Sequence, residues 1–175
     1  MGVSGRPEVL AGFLRRLDFF NPKSFETDFD ERLILQKTIY LMEEWGKIPF
    51  GYTFRWYYHG PYSSGLARDA FPATRLYNSS PRRKFVDPSV NQRLERMEAW
   101  FKSQPKSPSW FELLGSALYL FRGGSSLDEA IPKLTAKIPG ITPAMVRYAW
   151  GIVSGPAPTG SLGRTGPDQL SEHSY

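Results

Sequence analysis

The segment from Asp28 to Gly46 constrains this chain more than any other. Asp28, Phe29, Asp30 and Glu31 supply a capping oxygen and first-turn acids, and Gly46 supplies a stop. Between them Ile34, Leu35, Thr38, Ile39, Leu41, Met42 and Trp45 form an apolar stripe, with Arg32, Gln36, Lys37, Glu43 and Glu44 as the polar face. A stripe this wide has to be covered from more than one side, so the helix belongs at the centre of a domain. Leu35, Ile39 and Met42 are expected in the core.

An aromatic run follows. From Tyr52 to Tyr58 the side chains alternate, with Tyr52, Phe54, Trp56 and Tyr58 on one face and Thr53, Arg55 and Tyr57 on the other. That period of two predicts a strand. Gly60-Pro61 reads as a fixed corner ending it, because proline lacks a donor and holds the preceding residue extended. A short helix is then expected over Ser63–Phe71, through Leu66, Ala67 and Arg68. The aromatics either cover the central helix as core or stack bases, with Arg55 adding a cation–π or phosphate contact. Arg55, Tyr57 and His59 are left facing outward. With Tyr62 and Arg68 they form the candidate partner-binding surface around the corner.

The rest of the chain reads as helices. Pro7 to Phe20 has helical spacing, and Asn21-Pro22 ends it. Residues 72–89 read as a loop. Val90, Leu94, Met97 and Phe101 then mark one helix face. Ser109 and Glu112 fit a capping box for the next helix, which Gly123-Gly124 closes. Ser126 and Glu129 fit another, although Pro132 falls inside that helix at a cost of about 3 kcal/mol. Thr142-Pro143 begins a last helix. The expectation is a mainly α fold with a small β element: one compact multi-helix domain over residues 1–154. A flexible tail over 155–175, rich in Gly, Pro, Ser and Thr, completes it.

With 41% hydrophobic and 15% aromatic residues the chain is globular in composition. It has no cysteine, which excludes disulfides, thiolate metal sites and a cysteine nucleophile. No long apolar run and no signal-peptide core over residues 1–20 predict a soluble, cytoplasmic protein without membrane contact. The net charge of +5 is matched by the excess between Arg68 and Lys106, where nine basic residues face four acids. Arg82, Arg83 and Lys84 in the loop, with Arg93 and Arg96 on one helix face, are the candidate nucleic-acid contacts. A solvated face or a surface for an acidic protein is the alternative.

Chemistry-bearing patterns are sparse. The two histidines are His59, read as a hydrogen-bonded turn residue, and His173 in the expected tail. Neither sits at metal-ligand or nucleophile–base spacing. Glu43 and Glu44 are adjacent and cannot meet on one helix face, and no glycine-rich phosphate loop exists. No catalytic, metal or cofactor residue is expected, and the chain reads as non-enzymatic.

Two stretches together resemble a known group. Arg32-Leu33-Ile34-Leu35-Gln36-Lys37-Thr38-Ile39-Tyr40-Leu41, followed by Phe54-Arg55-Trp56-Tyr57-Tyr58-His59-Gly60-Pro61-Tyr62-Ser63, is similar to the core of the Panacea-type antitoxins and related small phage-associated proteins. There a leucine-x-lysine-leucine-x-tyrosine helix precedes an aromatic strand and a Gly-Pro turn. The run from Leu127 to Trp150 resembles the tail of some uncharacterised prokaryotic proteins. Ser64-Gly65 and Pro132 depart from the pattern. The resemblance implies a compact helical fold related to winged helices, without catalysis. It also implies a regulatory role in a prokaryotic mobile-element or defence setting, through toxin neutralisation, a regulatory protein contact or DNA binding.

Overall fold

The computed structural model describes residues 2–17 and 20–159. The protein is mainly helical, with seven helices and one two-stranded antiparallel sheet among those residues. The helices are α1 (Pro7–Leu14), α2 (Phe29–Glu44), α3 (Ser64–Leu76), α4 (Pro88–Ser103), α5 (Pro108–Arg122), α6 (Leu127–Lys137) and α7 (Pro143–Val153). The strands β1 (Arg55–Tyr57) and β2 (Gly60–Tyr62) lie between α2 and α3.

Helix α2 is the central element. Asp28 caps it, its carboxylate accepting from the Asp30 amide at 2.8 Å. Leu35, Ile39 and Met42 are buried, as the stripe predicts. It packs chiefly on α5, while α1 lies on α3 and α7 on α5 and α6. The core is continuous through these helices, with edge-on aromatic pairs such as Trp45–Trp100, 5.1 Å between centroids. The polar positions of α2 are not all turned to solvent. Gln36 and Lys37 are buried, because their polar ends meet backbone groups of the hairpin and the start of α3.

The β element is shorter than the alternating run. Strand β1 covers only Arg55–Tyr57, because the chain reverses at Tyr58-His59 and pairs back at once, Tyr57 opposite Gly60 and Arg55 opposite Tyr62. Upstream, the amides of Gly51 and Tyr52 donate to the Glu43 carboxylate at 2.7 and 3.1 Å instead of to a strand. Gly60-Pro61 is therefore the second strand and not the corner. Gly60 sits at φ 78°, in the left-handed region that favours glycine. Pro61 falls opposite Trp56, one pair beyond the turn-closing pair, where a two-residue hairpin needs no donor. Tyr58 belongs to the turn and not to the core-facing set, and it is 78% exposed.

Other boundaries moved for identifiable reasons. Helix α1 ends at Leu14, and the next residues form single turns, with the Leu17 amide on the Leu14 carbonyl. Leaving the helix lets Arg16 clasp Glu98 at 2.6 Å. Helix α3 continues through Pro72 to Leu76. The carbonyl its ring deprives of a partner belongs to Arg68, an exposed residue that water can serve. Helix α6 likewise runs through the exposed Pro132, and Thr135 Oγ1 donates to the Ile131 carbonyl at 2.8 Å. The capping box at Ser126 and Glu129 and the Thr142 cap before Pro143 are both present. At α5 the cap is Ser107, which accepts from the Trp110 amide, and Glu112 turns elsewhere. Gly155 accepts a bond from Trp45 Nε1 at 3.0 Å and Ala157 packs on the core. Of the expected tail, residues 160–175, His173 among them, lie outside the described residues.

Candidate functional site

The hairpin, the first half of α2 and the middle of α3 enclose a cleft of about 490 Å³. Helix α2 contributes Phe29, Arg32, Leu33, Leu35, Gln36 and Lys37, the hairpin contributes Tyr57, Tyr58, His59 and Tyr62, and α3 contributes Ala67, Ala70 and Phe71. Phe25, just before α2, completes the wall. Small residues on α3 open the space, and aromatics frame it.

The frame follows from strand geometry. Arg55, Tyr57 and Tyr62 fall on one face of the hairpin, because residues two apart and cross-strand partners project together. Tyr57 packs on Tyr62 with centroids 5.6 Å apart and on Tyr58 at 4.9 Å. Across the opening His59 meets the Phe29 ring edge-on at 5.1 Å. Phe29, Tyr57, Tyr58, Tyr62 and Phe71 all remain exposed, an apolar rim that folding alone leaves uncovered.

The backbone behind this rim is pinned by polar groups from three helices. Gln36 bonds Ser63 reciprocally, its amide nitrogen donating to the Ser63 carbonyl at 3.0 Å and its oxygen accepting from the Ser63 amide at 2.9 Å. Lys37 Nζ donates to the Pro61 carbonyl at 2.6 Å. Lys137 of α6 donates to the carbonyls of Tyr57 and Tyr58, and its ammonium lies 5.1 Å from the Trp56 ring centre. His59 Nδ1 and Glu112 Oε2 of α5 are 3.2 Å apart, so the turn histidine is hydrogen-bonded. Helix α5 comes close because it presents Gly115 and Ser116 there: a Cβ on Gly115 would stand 3.0 Å from the Lys37 side chain.

Lys37 is the chemically unusual member. Its amine is pushed down to about 7, chiefly by burial, which Glu112 opposes and Lys137 assists. Among the described residues no Ser or His lies in hydrogen-bond contact with it, and its partner is the Pro61 carbonyl. The arrangement holds a strand in place and lines an apolar recess. Among the described residues no group of His, Asp and Glu is placed to hold a metal ion.

The expected contact residues divide. Tyr57, His59 and Tyr62 share the cleft. Arg55 is exposed outside its lining, and Arg68 reaches back toward Asp69 at 3.6 Å. Of the basic candidates, Arg82, Arg83, Lys84 and Arg96 are exposed. Arg93 is committed to the fold, donating to the Lys47 carbonyl at 3.2 Å. Sequence reasoning counted Gln36 and Lys37 only as polar positions of α2 and left Phe29 and Phe71 out of the surface. The signal that locates the first pair is the width of the stripe, since a helix covered on several sides has no free polar face. No helix among the described residues is long and apolar enough to cross a membrane. Compared with protein-family models, curated proteins and solved structures, the chain matches none of them.

Proposed function

We propose that this chain is a regulatory binding protein of the antitoxin kind, acting without catalysis, that receives a partner protein in the cleft between the hairpin, α2 and α3. The observation that carries this is the rim: five large aromatic side chains stand exposed around an apolar recess of about 490 Å³. Tyrosine and phenylalanine bury much area for little lost side-chain entropy, which makes them anchors for a partner. The pinned backbone beneath them supports the same reading, because a fixed surface loses little freedom on binding. The Panacea-like motif supplies the setting, a prokaryotic mobile element or defence system.

The test is co-purification with the product of the neighbouring gene, followed by titration of that partner. Tyr62→Ala and Tyr58→Ala should each weaken binding by more than about 1 kcal/mol with the melting temperature nearly unchanged. Unchanged affinity in both variants would remove the cleft from the interface.

A second reading is direct nucleic-acid binding. It draws on Arg82, Arg83 and Lys84, three consecutive exposed cations in the loop between α3 and α4, with exposed Arg96 on the following helix.

A further inference from the structure

We infer that the segment docking in this cleft is an acidic-hydrophobic stretch of a partner protein, apolar anchors filling the recess and a carboxylate lying against Arg32 and His59. The inference rests on the cleft being the docking site and adds the chemistry of its occupant. Among the described residues no Asp or Glu lines the cleft; its ionisable members besides the tyrosines are Arg32, Lys37 and His59. Most of the nearby carboxylates are engaged within the fold, while Asp30 stands exposed beside Phe29. Glu31 accepts from Lys106 at 2.7 Å, Glu26 from Arg75 at 2.9 Å, and Asp69 from the Tyr52 hydroxyl at 3.0 Å. Glu112 accompanies His59 from the α5 side.

Arg32 is only partly committed. One terminal nitrogen donates to the carbonyls of Phe25 and Glu26, both at 3.0 Å, and its guanidinium lies over the Phe29 ring. These bonds fix the side chain at the cleft wall, and its other nitrogens remain as donors to an incoming oxygen pair. A basic occupant would meet the Arg32 guanidinium and aromatic faces there, and a neutral one would accept hydrogen bonds from these donors without the added attraction of charge. An acidic one adds that attraction.

The experiment uses three end-capped peptides of about ten residues, identical in Leu and Phe anchors and carrying Glu, Gln or Lys at the polar positions. Each is titrated into the ¹⁵N-labelled full chain. The Glu peptide should shift the amides of Phe29–Lys37 and Tyr57–Tyr62 and bind about tenfold tighter than the Gln peptide, a margin that falls with added salt. Arg32→Gln should erase the margin, and Arg32→Lys, which keeps the charge, should retain most of it. Equal affinity for Glu and Gln peptides, or a preference for Lys, overturns the inference and leaves the cleft as a docking site. Cleft resonances that move with protein concentration alone make a second copy the occupant, and so overturn it too. Binding of no peptide at the cleft removes the docking reading itself.

Discussion

The Lys37 ammonium group reaches from the middle of α2 to the Pro61 carbonyl, 2.6 Å away, and so fastens the second strand to the central helix from inside the core. Burial lowers its pKa from an ordinary 10.5 to about 7. The unfolded chain therefore binds more protons than the folded one between those values, and stability contributed by this group rises with pH across that window. Below about pH 7 the cost of burying the charge is fully present. The span corresponds to roughly 4–5 kcal/mol at most. Chemical denaturation of the parent and of Lys37→Met from pH 6 to 10 should show the difference: the parent gains stability relative to the variant as pH rises. Parallel pH profiles would mean that Lys37 is solvated.

Gly60 cannot carry a side chain. Its φ is 78°, and a Cβ there would fall 2.2 Å from Ser116 Oγ. Gly60→Ala should cost on the order of 3 kcal/mol or more, combining left-handed strain with a collision. Ser116→Ala should be near neutral alone, because its buried hydroxyl has no hydrogen-bond partner among the described residues. The double variant should recover only the collision, which thermal melts of the three proteins would separate. Full recovery would show that the backbone is not strained.

Leu35 and Ile39 are 2% and 0% exposed on the face of α2 that meets its neighbours. Leu35→Ala and Ile39→Ala should each cost about 2–5 kcal/mol in denaturant titrations. Values under 1 kcal/mol would contradict the central position of α2.

The basic loop has a separate test. If Arg82, Arg83 and Lys84 contact phosphates, duplex DNA binding should weaken steeply with salt, and changing all three to Ala should flatten that slope. The triple variant should melt like the parent, since these side chains are exposed. Absence of binding at low salt leaves the loop as a protein-contact surface or a solvated face.

What the residues told in advance was mostly local. Asp28, Ser126 with Glu129, and Thr142 before Pro143 cap helices where their hydroxyl or carboxylate reaches an amide two or three residues on, a geometry short enough to read from spacing. Long-range partners were hidden. Glu112 sits at capping-box spacing from Ser109, yet it accompanies His59 from fifty-three positions away in the chain. Lys37 and Gln36 look like surface residues until the hairpin folds over them. Tyr58 fits the strand alternation, but reversal at Tyr58-His59 turns it outward. Periodicity records which face a residue shares; it does not record where the chain turns back.

The hairpin's carbonyls are gripped from α2 and α6, and its turn is braced from α5, so the tyrosines are mounted on a backbone held from three helices. A partner meeting such a surface finds the bound geometry already assembled. If the cleft receives a partner as proposed, encounter should proceed at the ordinary docking rate, with no slow rearrangement in its path, and the lifetime of the complex, set by how well the recess is filled, should decide its strength.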